Sequence, residues 1–220
     1  MPSPLGVFEN LVFGFRDTSY LIAIGISVKR VVVGYIISLI LGLVLGLFII
    51  RFRYLDETLR PLLLGFQTLP SICWLPLVVL WVGIGEDAIL FVIAIGSTFS
   101  ISTAVVAGIK NVPPLYMRVA KTMGAKGLRA YTTVVIPAAL PAIVTGMQQG
   151  WSFAWRALMA GELLSPQDGL GYALIIGRDL HDMNQVVGVM IIIIALGLLF
   201  AKLVFGKLES VIRYRWGLNA

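Results

Sequence analysis

Charged residues and cysteine are both scarce in this sequence of 220 residues. Charged side chains make up 13% of the chain, about half of the roughly 25% that is usual in soluble domains. Disordered tails and coiled coils need more charge than this, and disulfide-linked secreted domains need more than one cysteine. Hydrophobic residues make up 59% of the chain, and its mean hydropathy is +0.95. A soluble protein of this size cannot bury so much apolar surface, so the composition indicates an integral membrane protein.

Several functional groups are also missing or nearly so. The chain has no Gly-x-x-x-x-Gly-Lys-Ser/Thr loop for nucleotide phosphates, so we expect no ATP hydrolysis within it. His181 is the only histidine, which argues against hydrolases built on serine, histidine and an acid. The single cysteine, Cys73, lies in an apolar stretch, and we expect it to be a small buried residue.

The net charge of +6 invites comparison with nucleic-acid-binding proteins. In so apolar a chain, the 17 Lys and Arg residues are more simply explained as cytoplasmic anchors of membrane spans. We therefore expect a lipid bilayer around this chain and no nucleic-acid partner.

Uncharged runs of about 20 residues, long enough to cross the hydrocarbon core, divide the sequence into predicted spans. The predicted spans lie at residues 31–50, 61–85, 88–109, 137–164 and 183–206, of which the fourth continues past Arg156 and the fifth past Lys202. The predicted fold class is therefore all-α, a polytopic membrane protein with about five spanning helices. We expect residues 1–30 to be an external N-terminal segment, in which Leu21–Val28 is a short amphipathic approach to the first span, and residues 207–220 to be a C-terminal tail.

The cationic residues fall in connections that share one side of the membrane. By the positive-inside rule this side is cytoplasmic, which also places the C-terminus in the cytoplasm and the N-terminus outside. An external N-terminus without a signal peptide leads us to expect a further helix upstream of Met1. The cations are Arg51, Arg53, Arg60, Lys110, Arg118, Lys121, Lys126, Arg129, Lys202, Lys207, Arg213 and Arg215.

Small residues recur at helical spacing within two of the spans. This spacing allows helix backbones to approach closely in lipid, either within one chain or between two copies. The residues are Gly34, Ser38, Gly42 and Gly46 in the first span, and Gly146 and Gly150 in the fourth.

Prolines that can kink a helix lie within the predicted spans at Pro70, Pro76, Pro137 and Pro141. They predict bent or broken helices, which serve either to line a transport pathway or simply to pack.

The connection at residues 110–136 predicts a short amphipathic helix. Pro113 and Pro114 suit its first turn, and Gly124 suits its C-terminal cap. Leu115, Val119 and Met123 recur at every fourth position and form an apolar stripe. This stripe needs a partner, and the candidates are lipid headgroups and a soluble protein.

The same connection resembles the signature loop of ABC importer permeases, which typically reads Glu-Ala-Ala, three residues, Gly, nine residues and Ile-x-Leu-Pro. Ala120, Gly124 and Pro137 match that spacing, whereas Arg118 and Val119 depart from it. In that family the loop is a coupling helix that docks on a cytoplasmic ATPase. The resemblance therefore implies ATPase-coupling roles for Leu115, Arg118, Val119, Ala120, Lys121, Met123 and Gly124.

The resemblance extends along the chain to the nitrate, sulfonate, taurine and bicarbonate branch of these permeases. It rests on Pro2-Ser3-Pro4, Ser27-x-x-Arg30-x-x-x-Gly34, Gly42-x-x-x-Gly46, Leu69-Pro70, Leu75-Pro76-Leu77, Trp81-x-Gly83-Ile84, Trp155 with Gly161-Glu162, and Gly169-Leu170-Gly171. Members usually carry six helices, with Pro-Ser-Pro just after the first. The resemblance thus implies that the start of this sequence is assigned too late and that a first helix is missing. The alternative is that five helices are enough for a permease.

This resemblance implies the fold of a type I ABC importer permease in the cell inner membrane. It also implies a homodimer, a separate ATPase subunit that uses ATP and Mg²⁺, and an external substrate-binding protein. No cofactor is expected in this chain itself. The implied direction is import, and the implied solute is a small anion.

Arg156 is the one cation that lies in the interior of a predicted span, since Lys202 lies near the end of the last one. A charge in this position usually faces a cavity or a partner. We therefore expect Arg156 to face a solute pathway, with Gln148, Gln149 and Ser152 on the same helix and Glu162 nearby. The alternatives are a structural ion pair with Glu162 or another acid, and a side chain that extends to the interface.

The segment Ser165–Gln185 predicts the longest outer loop, which we expect to contact the external binding protein. Asp179, His181 and Asp182 cluster there, but one histidine with two acids is a weak metal signal, and we predict no metal site. Two other functions remain open. A secondary carrier would show ionisable residues in several spans, and a membrane scaffold would leave the loop spacing unexplained.

Overall fold

The computed structural model describes residues 2–125, 127–164 and 168–215. Within these ranges the chain contains no strand, in agreement with the predicted all-α class. A 3₁₀ turn at Ser71–Trp74 precedes α4, and π-helical segments at Tyr131–Val135 and Ala201–Gly206 flank α8 and α10. The α-helices are α1 (Pro4–Arg16), α2 (Ser19–Arg51), α3 (Arg53–Thr68), α4 (Leu75–Val82), α5 (Glu86–Lys110), α6 (Pro114–Thr122), α7 (Leu128–Ala130), α8 (Ile136–Leu164), α9 (Leu170–Asp179), α10 (Met183–Phe200) and α11 (Lys207–Arg215).

In the described part of the chain, four helical stretches are long and apolar enough to cross a membrane. These are Ser19–Arg51, Glu86–Lys110, Leu128–Leu164 and Met183–Ser210. A bent pair, Tyr54–Thr68 with Ser71–Val82, raises the number to five if it counts as one span. The prediction of about five spanning helices is confirmed. Three parts of the predictions lie outside the described residues: Lys126, the start of the outer loop at 165–167, and the end of the tail at 216–220.

The first spanning helix is longer than the predicted span at residues 31–50. It is continuous from Ser19 to Arg51, so Leu21–Val28 belongs to it and is not a separate approach segment. The charges that marked the predicted boundary do not interrupt the helix. Lys29 is exposed, whereas Arg30 is buried and paired.

The predicted second span, residues 61–85, is broken and does not form a straight helix. The helix α3 ends at Thr68, and the next helical segments leave it at an angle of 97°. Pro70 causes the break, because proline lacks an N–H and forces Leu69 into an extended conformation. Pro76 lies in the first turn of α4, where a proline starts a helix without bending it.

Cys73 lies in this bend and is exposed, so the prediction that it is buried was wrong. The prediction rested on the apolar stretch around it. The bend instead puts it in a 3₁₀ turn between two short helices.

The other two span prolines do not break the chain. Pro137 is the second residue of α8 and Pro141 lies within that helix. Because Pro137 has no N–H to donate, the hydrogen-bond ladder is interrupted there, and the widened π-helical turn Tyr131–Val135 lies directly before it.

The central helix α5 runs parallel to α2 and antiparallel to α8. Successive contacts along α2 and α5 rise together in residue number, so these helices run parallel, whereas contacts between α5 and α8 run in opposite order. The ends of α2 and α5, with Arg51 and Lys110, therefore meet at one end of the bundle, which also carries α6. Lys110 pairs there with Asp56. We call this the loop end, and the opposite end, with α9, the far end.

Close packing on both sides of α5 holds the bundle together. A Cβ atom added at Gly42 of α2 would lie 2.7 Å from the Cβ of Ile101, and one added at Gly150 of α8 would lie 2.8 Å from its Cγ1. Ile101 is thus held between two glycines from two helices and is fully buried. The stripe of small residues packs within the chain, and its remaining contacts are Gly34 with Ile93, Gly46 with Val105 and Gly146 with Ala104.

A larger side chain in the stripe should separate α2 from α5. We expect Gly42→Leu to lower the free energy of unfolding by about 1–3 kcal/mol, because the added atoms overlap Ile101. Thermal unfolding of the detergent-purified protein would show a lower midpoint. Gly25→Leu is the matched control on the same helix, since Gly25 has nothing within 4 Å of its Cβ position. Equal midpoints for the two variants would contradict the packing account.

Candidate functional site

The predicted helix of the 110–136 connection is present as α6, Pro114–Thr122. It begins directly after Pro113 and ends at Thr122, two residues before Gly124, which has a φ of +82°. The Ala125 N–H donates to the Ala120 carbonyl at 2.9 Å and the Gly124 N–H donates to the Lys121 carbonyl at 3.1 Å. This pair of bonds is the Schellman cap, which requires a left-handed residue at position 124 and explains its glycine.

The two faces of α6 have different surroundings. Ala120 is buried, and Met117 packs against the central hydrophobic core. The predicted stripe points away from the bundle: Leu115 is 60%, Val119 47% and Met123 82% exposed. Arg118 and Lys121 are also exposed, whereas Gly124 serves as the cap.

This exposed face of α6 has the composition of a docking surface. Three large apolar side chains in helical register, beside two cations, leave a contiguous patch that no other described part of the chain covers. Such a patch on a short, rigidly capped helix favours a protein partner that supplies a groove. It carries no group suited to chemical catalysis.

A second cluster lies at the far end and is buried. Glu162 of α8 is fully buried and pairs with Arg30 of α2, with 3.0 Å between Oε1 and Nη1. Ser27 donates its hydroxyl proton to the same carboxylate at 2.8 Å, and the Gly171 N–H of α9 donates to Oε2 at 2.9 Å. Arg30 also donates to the Asp168 carbonyl at 2.6 Å.

Burial explains why Glu162 needs this many partners. A buried carboxylate is costly unless it is paired and hydrogen-bonded. The N-terminus of α9 adds a partial positive charge beside the carboxylate, and Ser27 accepts the Leu170 N–H of that helix at 2.9 Å. A Cβ atom at Gly171 would lie 2.5 Å from the Cβ of Glu162, so only glycine fits there.

The predicted alternative of an Arg156–Glu162 ion pair is wrong. Glu162 pairs instead with Arg30, which comes from a separate helix. The sequence offered a usable signal, because a glutamate in an apolar run needs a cation and Arg30 lies in another apolar helix. Periodicity within one helix could not identify a partner 132 residues away in sequence.

Arg156 instead lines a pocket of about 360 Å³ beside the bend between α3 and α4. Its Nε donates to the Ser152 carbonyl at 3.1 Å, and its guanidinium lies 4.6 Å from the centre of the Phe153 ring. No carboxylate among the described residues lies within salt-bridge distance of it.

The other predicted pathway residues of α8 separate into two groups. Gln149 and Ser152 are exposed on the same face as Arg156, and Thr145 extends that face at helical spacing. Gln148 is half-buried, and Glu162 belongs to the buried cluster. We call Thr145, Gln149, Ser152 and Arg156 the polar stripe of α8. A polar face on a membrane-spanning helix indicates a water-filled cavity or a protein partner.

The segment predicted as the longest outer loop is partly helical, because it contains α9. The charged residues near its end have structural contacts. Asp179 pairs with Arg178 at 2.9 Å, and Asp182 accepts the Asn184 and Gln185 N–H groups that begin α10. His181 Nδ1 lies 3.2 Å from the Asp179 carbonyl.

Comparison with known proteins gives a consistent set of matches. The family described as "Binding-protein-dependent transport system inner membrane component" matches residues 38–212. A putative ABC transporter permease protein of Methanocaldococcus jannaschii is 36% identical over 178 residues, which are 80% of this chain and 67% of that protein. A nitrate import permease protein of Synechocystis is 27% identical over 221 residues, covering 96% of this chain and 80% of that protein.

Solved structures share the fold. The crystal structure of an amino acid ABC transporter with histidines superimposes with a TM-score of 0.72 at 19% identity, covering 93% of this chain and 97% of that chain. At this identity the likeness supports the fold alone.

Removal of one partner from the buried pair should be strongly destabilising. We expect Glu162→Gln and Arg30→Gln each to lower the free energy of unfolding by about 3–5 kcal/mol, because each leaves a buried charge unpaired. The double variant should recover part of this loss, and thermal unfolding in detergent measures all three.

The neighbouring Lys29 provides the control. It pairs with Glu86 at the surface, so Lys29→Gln should cost about 1 kcal/mol or less. If Arg30→Gln is as mild as Lys29→Gln, the buried pair does not stabilise the far end.

Proposed function

The chain belongs to the family of binding-protein-dependent transport system inner membrane components, and on that basis we propose how it works as the permease of an ABC importer. Its relatives include ABC transporter permeases, among them one named for nitrate import. The family resemblance found in the sequence is confirmed. We propose that this chain is the membrane-spanning subunit that moves a small anion inward, with ATP hydrolysed by a separate subunit that binds ATP and Mg²⁺.

The exposed apolar stripe of α6 is the observation that carries the coupling proposal. Leu115, Val119 and Met123 point away from the bundle, while Ala120 is buried and the Gly124 cap terminates the helix. A groove on the ATPase subunit would bury the stripe, and Arg118 and Lys121 would flank the contact. Lipid headgroups are the alternative partner for this stripe.

Charge supports the orientation. Arg51, Lys110 and the α6 cations lie at the loop end, whereas Glu86 and α9 lie at the far end. By the positive-inside rule the loop end and the C-terminus face the cytoplasm. The far end, with α9, then faces outward and receives the external binding protein.

The polar stripe of α8 supports a homodimer with the solute pathway between two copies. Thr145, Gln149, Ser152 and Arg156 are exposed along a helix that crosses the membrane. Facing lipid, this stripe would be costly, whereas facing a second copy across a hydrated pathway it would be solvated. Arg156 would attract an anionic solute there.

Transport would proceed as a shift between two packings of the dimer. ATP binding closes the ATPase subunits, and α6, held in their grooves, moves with them. Because α5 is packed tightly against α2 and α8, this motion would turn each bundle as a unit and open the pathway outward. The binding protein then releases the solute into the open pathway, and the dimer afterwards returns to its inward-open packing.

Charging the stripe should detach the ATPase. We expect the double variant Val119→Asp, Met123→Asp to reduce the amount of cognate ABC ATPase that co-purifies in detergent by about tenfold or more, because two carboxylates would be buried against an apolar groove. Both positions are exposed, so the chain itself should remain folded.

Tyr54→Asp is the control, since Tyr54 is 85% exposed at the same end but lies on α3. It should retain the ATPase. If the wild-type chain captures no ABC ATPase, the coupling proposal fails, and uptake driven by a proton or sodium gradient becomes the function to examine.

A further inference from the structure

The pocket beside the α3–α4 bend combines one cation with apolar walls. It is enclosed by the end of α3, the 3₁₀ turn, α5 and α8, and its volume is about 360 Å³. This volume falls within the range of small-molecule sites. Gly96 of α5 permits the close approach of these elements, since a Cβ there would lie 3.3 Å from the Cβ of Ser71 and 3.4 Å from that of Ala157.

Arg156 lines the pocket, and part of its guanidinium makes no hydrogen bond to the described residues. Its Nε is used by the Ser152 carbonyl, and the Phe153 ring supports its guanidinium. Its two terminal nitrogens donate to no described residue. A planar guanidinium with two open donors matches the paired oxygens of a carboxylate, nitrate or sulfonate.

Polar neighbours add further donors at the same wall. The Ser71 hydroxyl lines the pocket and makes no hydrogen bond to a described residue. Gln67 is oriented by its Nε2, which donates to the Thr103 hydroxyl at 3.2 Å. Among the described residues, no acid lines the pocket, so an anion there meets donors without a competing carboxylate from this part of the chain.

The remaining walls combine aromatic rings with aliphatic side chains such as Ile72 and Ile95. Phe66 stacks on Phe99 with 5.6 Å between ring centres, and Trp74 lies edge-on to Phe66 at 5.9 Å. These rings offer nothing to a bare inorganic ion but pack well against a planar or apolar group.

We propose that this pocket is a solute-binding site for a small organic anion, whose charged head binds Arg156 and Ser71 and whose planar or apolar body packs against Phe66, Phe99 and Trp74. The site rests on the proposed function, since it would lie on the solute pathway. It narrows the solute from anions in general to organic anions with an apolar part.

Three probes of graded chemistry test the site on the purified chain in lipid nanodiscs, by calorimetric titration. Benzenesulfonate carries both a charged head and an apolar ring, benzenesulfonamide has the ring without the charge, and sulfate has the charge without the ring. We expect benzenesulfonate to bind about tenfold or more tightly than either of the others. Arg156→Gln should weaken benzenesulfonate binding by a similar factor, Arg156→Lys by less, and Ser71→Ala by a few-fold.

Arg178→Gln is the matched control, because Arg178 is an exposed arginine on α9 away from the pocket. It should leave binding unchanged. Failure of the wild-type chain to bind benzenesulfonate, or equal affinity in folded Arg156→Gln, overturns the site. Equal affinity for sulfate overturns the requirement for an apolar body. No ATPase is present in this titration, so its outcome is separate from that of the coupling experiment.

Discussion

The packing of Ile101 between Gly42 and Gly150 is the contact on which the rest of the bundle depends. In lipid, helices gain little from the hydrophobic effect, so association relies on van der Waals contact between closely approaching backbones. Glycine on α2 and on α8 lets both helices reach α5, and the Ser102 hydroxyl bridges to the Gly42 carbonyl at 3.1 Å. The three helices therefore form one tightly packed body that runs from the loop end to the far end.

The pair of Arg30 and Glu162 ties the far end to this body. The two charges come from α2 and α8, and the first turn of α9 joins them through the Gly171 N–H, which donates to Glu162, and the Leu170 N–H, which donates to Ser27. Because an unpaired charge at this depth would be costly, the pair strongly favours the arrangement in which all three helices meet. A surface on α9 and a surface on α6 thus belong to the same mechanical unit, and the Arg156 pocket lies on α8 between them.

The sequence predicted the parts of this structure that depend on local chemistry. Pro114, the Gly124 cap and the spacing of Leu115, Val119 and Met123 fixed α6 and its apolar face. Contacts between distant segments could not be predicted from the sequence. The partner of Glu162 is 132 residues away, and helical periodicity does not identify that partner. The bend at Pro70 was foreseen as a kink, but its angle depends on how α3 and α4 pack on α5. The end of α3 and the 3₁₀ turn at that bend form part of the pocket that Arg156 lines, so the sequence identified the residue but not its pocket.

The central claim is that ATP binding at the loop end turns each bundle as a unit and changes the pathway between two copies. Pulsed electron paramagnetic resonance on the reconstituted complex, in a Cys73→Ser background, tests it. A label at Thr145 reports the distance between copies, and a label pair at Gly25 and Leu128, diluted with unlabelled chain, reports the distance within one bundle. The account predicts that vanadate trapping with ATP changes the first distance and leaves the second unchanged. A changed intrachain distance with an unchanged distance between copies would contradict it.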